Sequence, residues 1–161
     1  YVLTFQEVQD IFEAANIHPE SLPESEKDHS SRAGRIYAHT GGVSEAVRKT
    51  VDQLDPDREI AIKTRQADGV PACRAMIEEL KSGKLTGNFF EGMGCVGGCV
   101  GGPKAVLDRE EGRKNVAAYG NAATYKTPLE NPYVMELLHR LGFHKVEDLL
   151  KDSDLLTRHF E

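Results

Sequence analysis

The sequence has no long apolar run and few cysteines, and both shortages exclude whole classes of protein. No stretch approaches the roughly 20 apolar residues that a helix needs to span a bilayer. The N-terminus shows no basic patch followed by an apolar segment, as a secretory signal would. Three cysteines are too few for a disulfide scaffold in a chain of 161 residues. We therefore expect a reducing compartment, and a membrane or secreted protein has no support.

The sequence is also short of clustered positive charge. Its formal net charge is -6 and its isoelectric point is about 5.5, and no run of Lys and Arg could neutralise several phosphates. Nucleic acid and anionic membranes are therefore disfavoured as partners. Hydrophobic residues make up 39% and charged residues 29%, which predicts one soluble globular domain with an ordinary core over residues 1–161. Because the chain begins with Tyr1 rather than Met, we expect it to be a piece of a longer polypeptide.

The N-terminal part of the chain predicts one helix and one loop. Thr4 and Glu7 have the spacing of a capping box, and apolar residues recur behind them at helical spacing. A helix is therefore predicted over residues 5–15, with residues 1–4 as a buried strand that enters it. Residues 16–40 are polar, contain two prolines and lack periodicity, so they are predicted to form a long surface loop.

The middle of the chain reads as helices alternating with strands. A helix with Ser44 as its N-cap is predicted to end before Asp55 and the proline that follows it. Residues 59–63 alternate as a short strand, and a helix then starts at Pro71 and closes at Gly83. The inner face of this helix is predicted to consist of Ala72, Ala75, Met76 and Leu80.

A second strand, residues 88–91, runs directly into a glycine-rich segment, residues 92–103, which we call the cysteine loop. The loop follows the C-terminal end of a strand, where α/β folds usually bind ligands. The predicted fold class is α/β, with a small mixed or parallel sheet flanked by helices. Further helices are predicted over residues 108–123, 131–142 and 146–156, the last two forming the C-terminal helices.

The cysteine loop carries the clearest chemical signal. Residues 91–104 read EGMGCVGGCVGGPK, and this density of glycine suggests that the backbone closely approaches another group. Two thiolates can bind iron, and backbone N–H groups in a loop with few side chains can reach the sulfides of a cluster. The pattern therefore predicts an iron–sulfur site with Cys95 and Cys99 as ligands. Because a cubane usually takes four cysteines, the remaining ligands are expected from outside this chain.

Other interpretations of these residues are weighed beside the cluster. Glycine-rich turns can serve tight packing, and a buried Cys can behave as a small hydrophobe; two ligands alone leave this alternative open. A phosphate-binding loop is rejected, since Pro103 precedes Lys104 and no Ser or Thr follows. Cys73 is assigned to the core face of a helix, and Glu91 to a brace for turn N–H groups. Six histidines share no metal-ligand spacing and are given structural or surface roles: His18, His29, His39, His139, His144 and His159.

The cysteine loop resembles the third cluster motif of the iron-only hydrogenases, in the C-terminal part of their large-subunit catalytic domain. That motif reads Glu-x-Met-Ala-Cys-x-x-Gly-Cys and continues into a glycine run. Residues 1–4 are similar to the family's Val-Leu-Thr-Thr entry to a helix, and residues 40–46 to its Thr-Gly-Gly-Val-Met-Glu-Ala. The resemblance covers about residues 1–103 and implies one lobe of a two-lobe catalytic domain. The residues that agree with the cluster motif are Glu91, Met93, Cys95, Gly98 and Cys99.

The resemblance implies a site and a reaction. Cys95 would bind a 4Fe-4S cubane, and Cys99 would bridge this cubane to a di-iron subsite, the two together forming the H-cluster. Met93 would pack beside the di-iron subsite, so Cys99 and Met93 would lie at the catalytic centre. In this family the reaction is the reversible reduction of protons to dihydrogen. Three glycines would line the cofactor where any side chain would intrude: Gly41, Gly42 and Gly98.

The sequence also departs from the family pattern. Gly94 replaces the usual Ala, and the loop ends in Gly-Gly-Pro-Lys rather than Gly-Gly-Gly-Gln-Pro. A non-enzymatic or weakly active iron–sulfur sensor of redox state or hydrogen is therefore the alternative function. The family's first two cysteine motifs are absent from these residues, so an N-terminal part of the same domain would supply them. We expect the parent to be a cytoplasmic, anaerobic iron hydrogenase served by a ferredoxin-like electron donor, and the isolated chain to lack both the H-cluster and activity.

Overall fold

The computed structural model describes residues 1–23, 29–151 and 158–159. It combines helices with a sheet of two parallel strands, which confirms the predicted α/β class with a small sheet flanked by helices. None of the described helices is long and apolar enough to cross a membrane. The elements in chain order are α1 (Phe5–Ala14), α2 (Arg32–Arg35), α3 (Gly42–Leu54), β1 (Thr64–Asp68), α4 (Val70–Lys81), β2 (Phe89–Met93), α5 (Arg109–Asn121), α6 (Pro132–Arg140) and α7 (Val146–Lys151).

The two strands and the helix between them form the unit on which the cysteine loop stands. β1 pairs with β2 in parallel, with Thr64 opposite Phe89 and Asp68 opposite Met93. Parallel strands require a crossover connection, and α4 supplies it. Both strands therefore end at the same edge of the sheet, and the cysteine loop leaves from that edge.

The predicted position of the first strand, residues 59–63, is wrong, because β1 lies further along the chain. Residues before β1 bond instead to the side chain of Asn88. The Lys63 N–H donates to Asn88 Oδ1 at 2.8 Å, and Asn88 Nδ2 donates to the Ala61 carbonyl at 3.0 Å. The amide side chain thus adds to the backbone hydrogen bonds upstream of the first strand pair, where the N–H groups of Asn88 and Phe89 donate to the Lys63 carbonyl at 3.0 and 3.2 Å. Local alternation could not reveal this, since Asn88 is 25 residues away from Lys63.

Helix α4 agrees with the prediction in its limits and differs in its inner face. Pro71 lies in its first turn, and Gly83 follows its end with a φ of 70°. The half-buried residues of α4 are Cys73 and Met76, because a sheet of two strands covers only a narrow stripe of the helix. The residues that were expected inside and are exposed are Ala72, Ala75 and Leu80.

The N-terminal helix begins as predicted. Thr4 caps α1 and exchanges hydrogen bonds with Glu7 in a capping box. Residues 1–3 form no strand and are exposed, so the predicted buried strand is wrong. No pairing partner lies beside them in the described part of the chain.

Helix α3 begins two residues before the predicted N-cap. Its N-cap is Gly41, which has a φ of 88°, and Ser44 lies inside the first turn. The predicted end before Asp55 is confirmed. Gly41 has no side chain that could cap the helix, so the first N–H groups of α3 must find an acceptor elsewhere.

The region predicted to be a long surface loop, residues 16–40, contains part of the core. Ser31 caps the short helix α2, which continues into a 3-10 turn over Ile36–Ala38. Ala33 and Ile36 are buried, so the loop prediction is wrong for this part. Residues 24–28 of that region lie outside the described residues. Two backbone hydrogen bonds fix the start of α2 from a distance: Arg32 N–H to the Tyr125 carbonyl and Ala33 N–H to the Lys126 carbonyl.

The predicted helices in the last third of the chain are confirmed. Asp108 caps α5 and Asn131 caps α6, each through its own side chain. Gly142 follows α6 with a φ of 90°, as expected for a glycine at a helix end. The last predicted helix, residues 146–156, is present as α7, and the part of it beyond residue 151 lies outside the described residues.

The core of the described chain is small, which contradicts the ordinary core expected from composition. Helices α1, α4 and α7 bury no residue, and large apolar side chains such as Phe5, Ile11 and Ile77 remain exposed. Composition counts apolar residues without saying which of them find a partner. The buried apolar residues of the described part are Ala33, Ile36, Ala46, Ala123 and Leu138.

We expect Gly42→Ala to destabilise the fold strongly. A Cβ at residue 42 would lie 1.8 Å from the Ile36 carbonyl oxygen, so two backbone segments would have to separate, at a cost of about 2–3 kcal/mol. Gly34→Ala is the matched control, because its Cβ would meet only Ser31 Oγ at 3.8 Å. Urea unfolding of both variants measures the difference. Equal free energies of unfolding would show that α3 does not need this close approach.

Candidate functional site

The cysteine loop leaves the C-terminal edge of the sheet, as predicted. Met93, the last residue of β2, accepts hydrogen bonds through its carbonyl from the Gly69 N–H at 2.9 Å and from Cys73 Sγ at 3.3 Å. The turn between β1 and α4 is thus joined to the start of the loop. The loop begins from a fixed point, since both strands and α4 meet there.

A succession of tight turns shapes the loop itself. Gly98 N–H donates to the Cys95 carbonyl and Gly102 N–H to the Cys99 carbonyl, each at 3.0 Å. Residues Cys99–Gly101 form a 3-10 turn. Both cysteines are free thiols, with Cys95 half-buried and Cys99 exposed. The loop therefore presents two thiols one turn apart, one of them open to a partner.

The loop packs directly against the segment that precedes α3. Thr40 N–H donates to the Gly97 carbonyl at 3.1 Å. A Cβ at Gly98 would lie 2.8 Å from the Thr40 nitrogen and 2.9 Å from the Ala38 carbonyl oxygen, and Gly98 has a φ of 87°. Both the close approach and the left-handed backbone demand glycine. Backbone packing alone thus accounts for Gly98, and its predicted contact with a cofactor remains a prediction.

Glu91 braces the start of α3, as the sequence predicted. Its side chain is buried in β2, where Oε1 accepts the Gly41 N–H at 2.8 Å and Oε2 accepts the Ser44 N–H at 2.7 Å. In a capping box, residues of the helix itself bind the N-cap and N3 N–H groups. Here one carboxylate from a distant strand binds both, and its negative charge faces the positive end of the helix dipole. This explains why α3 begins at a glycine.

A second carboxylate fastens the cysteine loop. Asp68 Oδ2 accepts the Gly97 N–H and the Thr40 hydroxyl, each at 2.9 Å. These bonds, together with the one from Thr40 N–H to Gly97, form what we call the Asp68 clamp, which consists of Asp68, Thr40 and Gly97. The Gly97 N–H and the Thr40 hydroxyl, with a smaller contribution from the charge of Arg109, hold the pKa of Asp68 below its usual value.

Arg109 lies across the other side of the loop. A Cβ at Gly97 would fall 2.4 Å from Arg109 Cδ, and a Cβ at Gly101 would fall 3.0 Å from the same atom. The side chain of the first residue of α5 therefore occupies the space that side chains at these glycines would need. Gly97 also has a φ of 86°. Packing against Arg109 accounts for Gly97 without a cofactor, and the Val96 carbonyl oxygen, which would lie 2.0 Å from a Cβ at residue 101, accounts for Gly101.

The glycines before α3 divide into two kinds. At residue 42 the Ile36 carbonyl leaves no room for a side chain, as described above. Gly41 has open space where its Cβ would be, and so has Gly94 beside Cys95. The open space at Gly41 and Gly94 leaves room for a bound group, whereas the need for glycine at 42 arises within the chain.

The donor set fits half of a cubane. Cys95 and Cys99 offer two thiols, and no group of three or more His, Cys, Asp or Glu side chains that could hold a metal occurs in the part of the chain that the structure describes. Cys73 donates instead to the carbonyls of the sheet, in agreement with its assignment to the helix face. The Ser44 hydroxyl is buried and finds no hydrogen-bond partner among the described residues. Two thiols are compatible with a cluster whose other ligands lie elsewhere.

Comparison with known families supports this view of the site. A family model described as the C-terminal domain of the iron-only hydrogenase large subunit matches residues 1–103 of the 161. The chain belongs to this family. The iron-only hydrogenase match ends at Pro103, so it includes the sheet and the cysteine loop, and α5, α6 and α7 lie beyond it. No curated protein matches the chain.

The family membership confirms the resemblance inferred from the cysteine loop. Iron-only hydrogenases are oxidoreductases, and iron–sulfur cofactors are implied for their intact members. The roles of Met93, Cys95 and Cys99 and of the three glycines in this chain stay predictions. Three positioning residues escaped the sequence analysis: Thr40, Asp68 and Arg109. A polar residue at the C-terminal end of a parallel strand, as Asp68 is, was the available signal.

We expect Glu91→Gln to lower stability, because an amide can accept through one oxygen only and turns an N–H donor toward another donor. Loss of a charge-assisted hydrogen bond at a buried site costs about 2 kcal/mol, which lowers the melting temperature by roughly 4–8 °C in a chain of this size. Glu79→Gln, at an exposed residue of α4, is the control. A melting temperature of Glu91→Gln equal to that of the control variant would contradict the brace.

The Asp68 clamp predicts a specific pH dependence. Because the pKa of Asp68 is lower in the folded chain than in the unfolded one, where it is about 3.9, its stabilisation is fully present above about pH 4 and is lost as the pH falls through the folded value. Asp68→Asn should therefore cost about 1–2 kcal/mol at neutral pH and progressively less below pH ~4. Urea unfolding across this range, with exposed Asp57→Asn as control, measures it. A difference that does not change with pH would contradict the assignment.

Proposed function

We propose that the chain is part of an iron-only hydrogenase catalytic domain and contributes two cysteine ligands to the H-cluster for the reversible reduction of protons to dihydrogen. One observation carries this proposal. Two free thiols stand one turn apart in a loop held at the C-terminal edge of the sheet, within the segment matched by the hydrogenase family.

Each residue of the site has a proposed role. Cys95 would hold the 4Fe-4S cubane, and the exposed Cys99 would hold both the cubane and the di-iron subsite. Met93 packs beside that subsite from the end of β2. When bound, the H-cluster supplies electron transfer and an open iron position. Gly41, Gly42 and Gly98 carry no side chains, so none would intrude on a cofactor bound to the two thiols.

The remaining ligands and the rest of the enclosure are proposed to come from an N-terminal part of the same domain. A cubane takes four thiolates, and this chain offers two at the loop. The small core and the exposed apolar faces of α1 and α4 support a covering lobe, because such large patches mark interaction sites. The isolated chain is accordingly expected to be inactive and free of the cluster.

The wider setting belongs to the same proposal. The intact parent is a cytoplasmic, anaerobic enzyme of the ferredoxin-type iron hydrogenase class, and a ferredoxin-like protein supplies its electrons. The net charge of -6 disfavours nucleic acid as a partner of this chain.

The ligand assignment predicts a selective effect of cysteine substitution. In the full-length protein matured and purified without oxygen, Cys95→Ser and Cys99→Ser should each reduce the iron and acid-labile sulfide of the H-cluster by more than half, because a hydroxyl is a poor ligand for these irons. Cys73→Ser is the matched control. Its hydroxyl can still donate to the carbonyls that Cys73 Sγ meets, so cluster content should stay at the wild-type level.

Two outcomes would overturn the ligand assignment. The first is full cluster content in both loop variants. The second is a wild-type protein whose iron is explained by accessory domains alone. In either case the cysteine loop would serve packing only, and the proposed hydrogenase function of this chain would be refuted.

A sensor is the second candidate function, and Gly94 is the observation that favours it. The family's usual residue at this position is Ala, and the space that an alanine side chain would fill beside Cys95 is open here. A roomier pocket differs from that of an efficient enzyme. Hydrogen assays on the full-length protein separate the two functions, since robust turnover is expected of the enzyme and slow or absent turnover of the sensor.

A further inference from the structure

We propose that Thr40 and Asp68 are positioning residues for the two cysteine ligands, acting through Gly97. The inference rests on the proposed function, because it concerns the loop that carries Cys95 and Cys99. It adds that a hydroxyl and a carboxylate outside the loop set the distance between the two thiols.

The loop needs such an external tie because its middle is made of two successive glycines. Gly97 and Gly98 have φ values of 86° and 87°, and glycine loses more conformational freedom on ordering than any other residue. Cys99 follows this pair directly, and Cys95 precedes it with only Val96 between. Any rotation about the backbone of Gly97 or Gly98 would therefore change the separation of the two thiols.

The Asp68 clamp restrains both backbone groups of Gly97 at once. Its N–H is held by Asp68 Oδ2 at 2.9 Å, and its carbonyl accepts the Thr40 N–H at 3.1 Å. The Thr40 hydroxyl closes the triangle by donating to the same Oδ2 at 2.9 Å. One carboxylate oxygen thus fixes the loop and the segment before α3 relative to each other.

The hydrogen bond from the Thr40 hydroxyl to Asp68 can be tested by substitution of Thr40. Thr40 and Asp68 both line an open cavity of about 390 Å³, and a methyl group in place of the Thr40 hydroxyl would face Asp68 Oδ2, which the hydroxyl meets at 2.9 Å. Thr40→Val keeps the side-chain shape and removes the donor to Asp68. Thr40→Ser keeps the donor and removes a methyl group, which makes it the conservative rescue variant.

The experiment uses the full-length protein in two forms. In the metal-free form, the rate of iodoacetamide alkylation at Cys95 and Cys99 is measured by mass spectrometry. In the cluster-loaded form, the electron paramagnetic resonance spectrum and the midpoint potential of the reduced cubane are recorded. Thr127→Val is the control, because Thr127 is more buried than the half-buried Thr40 and its hydroxyl donates to Gln53 away from the loop.

We expect Thr40→Val to raise the alkylation rate at Cys95 about fivefold, as loss of one hydrogen bond shifts a local opening equilibrium. The cubane spectrum and potential should change in the same variant. Thr40→Ser and Thr127→Val should match the wild type in both forms. Asp68→Asn, a second variant, should change the alkylation rate in the same direction as Thr40→Val.

Two results would overturn the proposal. The first is a wild-type alkylation rate and a wild-type spectrum in Thr40→Val and Asp68→Asn. The second is an equal change in Thr127→Val, which would reveal general destabilisation. Failure of the proposed function is distinguishable, because intact clusters in Cys95→Ser and Cys99→Ser would refute the ligand role, whereas the alkylation rates report on the loop without any metal.

Discussion

The carboxylate of Glu91 is the constraint on which the site depends. It lies buried in β2 and binds the first N–H groups of α3, to Gly41 and Ser44, across 50 and 47 residues of sequence. A buried carboxylate without such donors would be costly, and a helix that starts at a glycine would have unsatisfied N–H groups. The carboxylate accepts the N–H groups that the helix leaves unpaired, and those N–H groups satisfy the buried carboxylate. The start of α3 and the start of the cysteine loop are therefore set by a single side chain.

Asp68 repeats this arrangement at the end of the neighbouring strand. Two parallel strands end at one edge, and each contributes a carboxylate that holds the segment of residues 38–44. Different neighbours explain why glycine occurs at the different positions of the loop. Gly97 makes room for Arg109, Gly101 for the Val96 carbonyl and Gly98 for the backbone near Thr40, while Gly94 has open space beside it. A high glycine content is thus a poor guide to how much of a loop faces a cofactor.

The small core of the described residues supports the proposal that the chain is one lobe of a larger domain. Amphipathic helices such as α1 carry an apolar stripe that finds no buried place within the described residues. Such faces stabilise a protein only once something covers them. The same logic applies to the chemistry, since two thiols serve a cubane only together with further ligands. The apolar faces lack a cover within the described residues, and the two thiols lack the further ligands of a cubane. Both observations support the proposed placement of the site between this lobe and another.

The sequence by itself determined the features that act within a few residues. Thr4 with Glu7 began α1, Asn131 began α6, and the cysteine pattern with its glycines identified the hydrogenase family. Only the tertiary structure decided where β1 pairs, why α3 starts at Gly41 rather than at a serine, and that α2 belongs to the core. Asn88 acts at β1 and Glu91 at α3 through hydrogen bonds to residues 25 and 50 positions away, and backbone hydrogen bonds to the carbonyls of Tyr125 and Lys126 hold α2. Local propensity cannot anticipate them, because their partners become neighbours only when the strands and helices have packed.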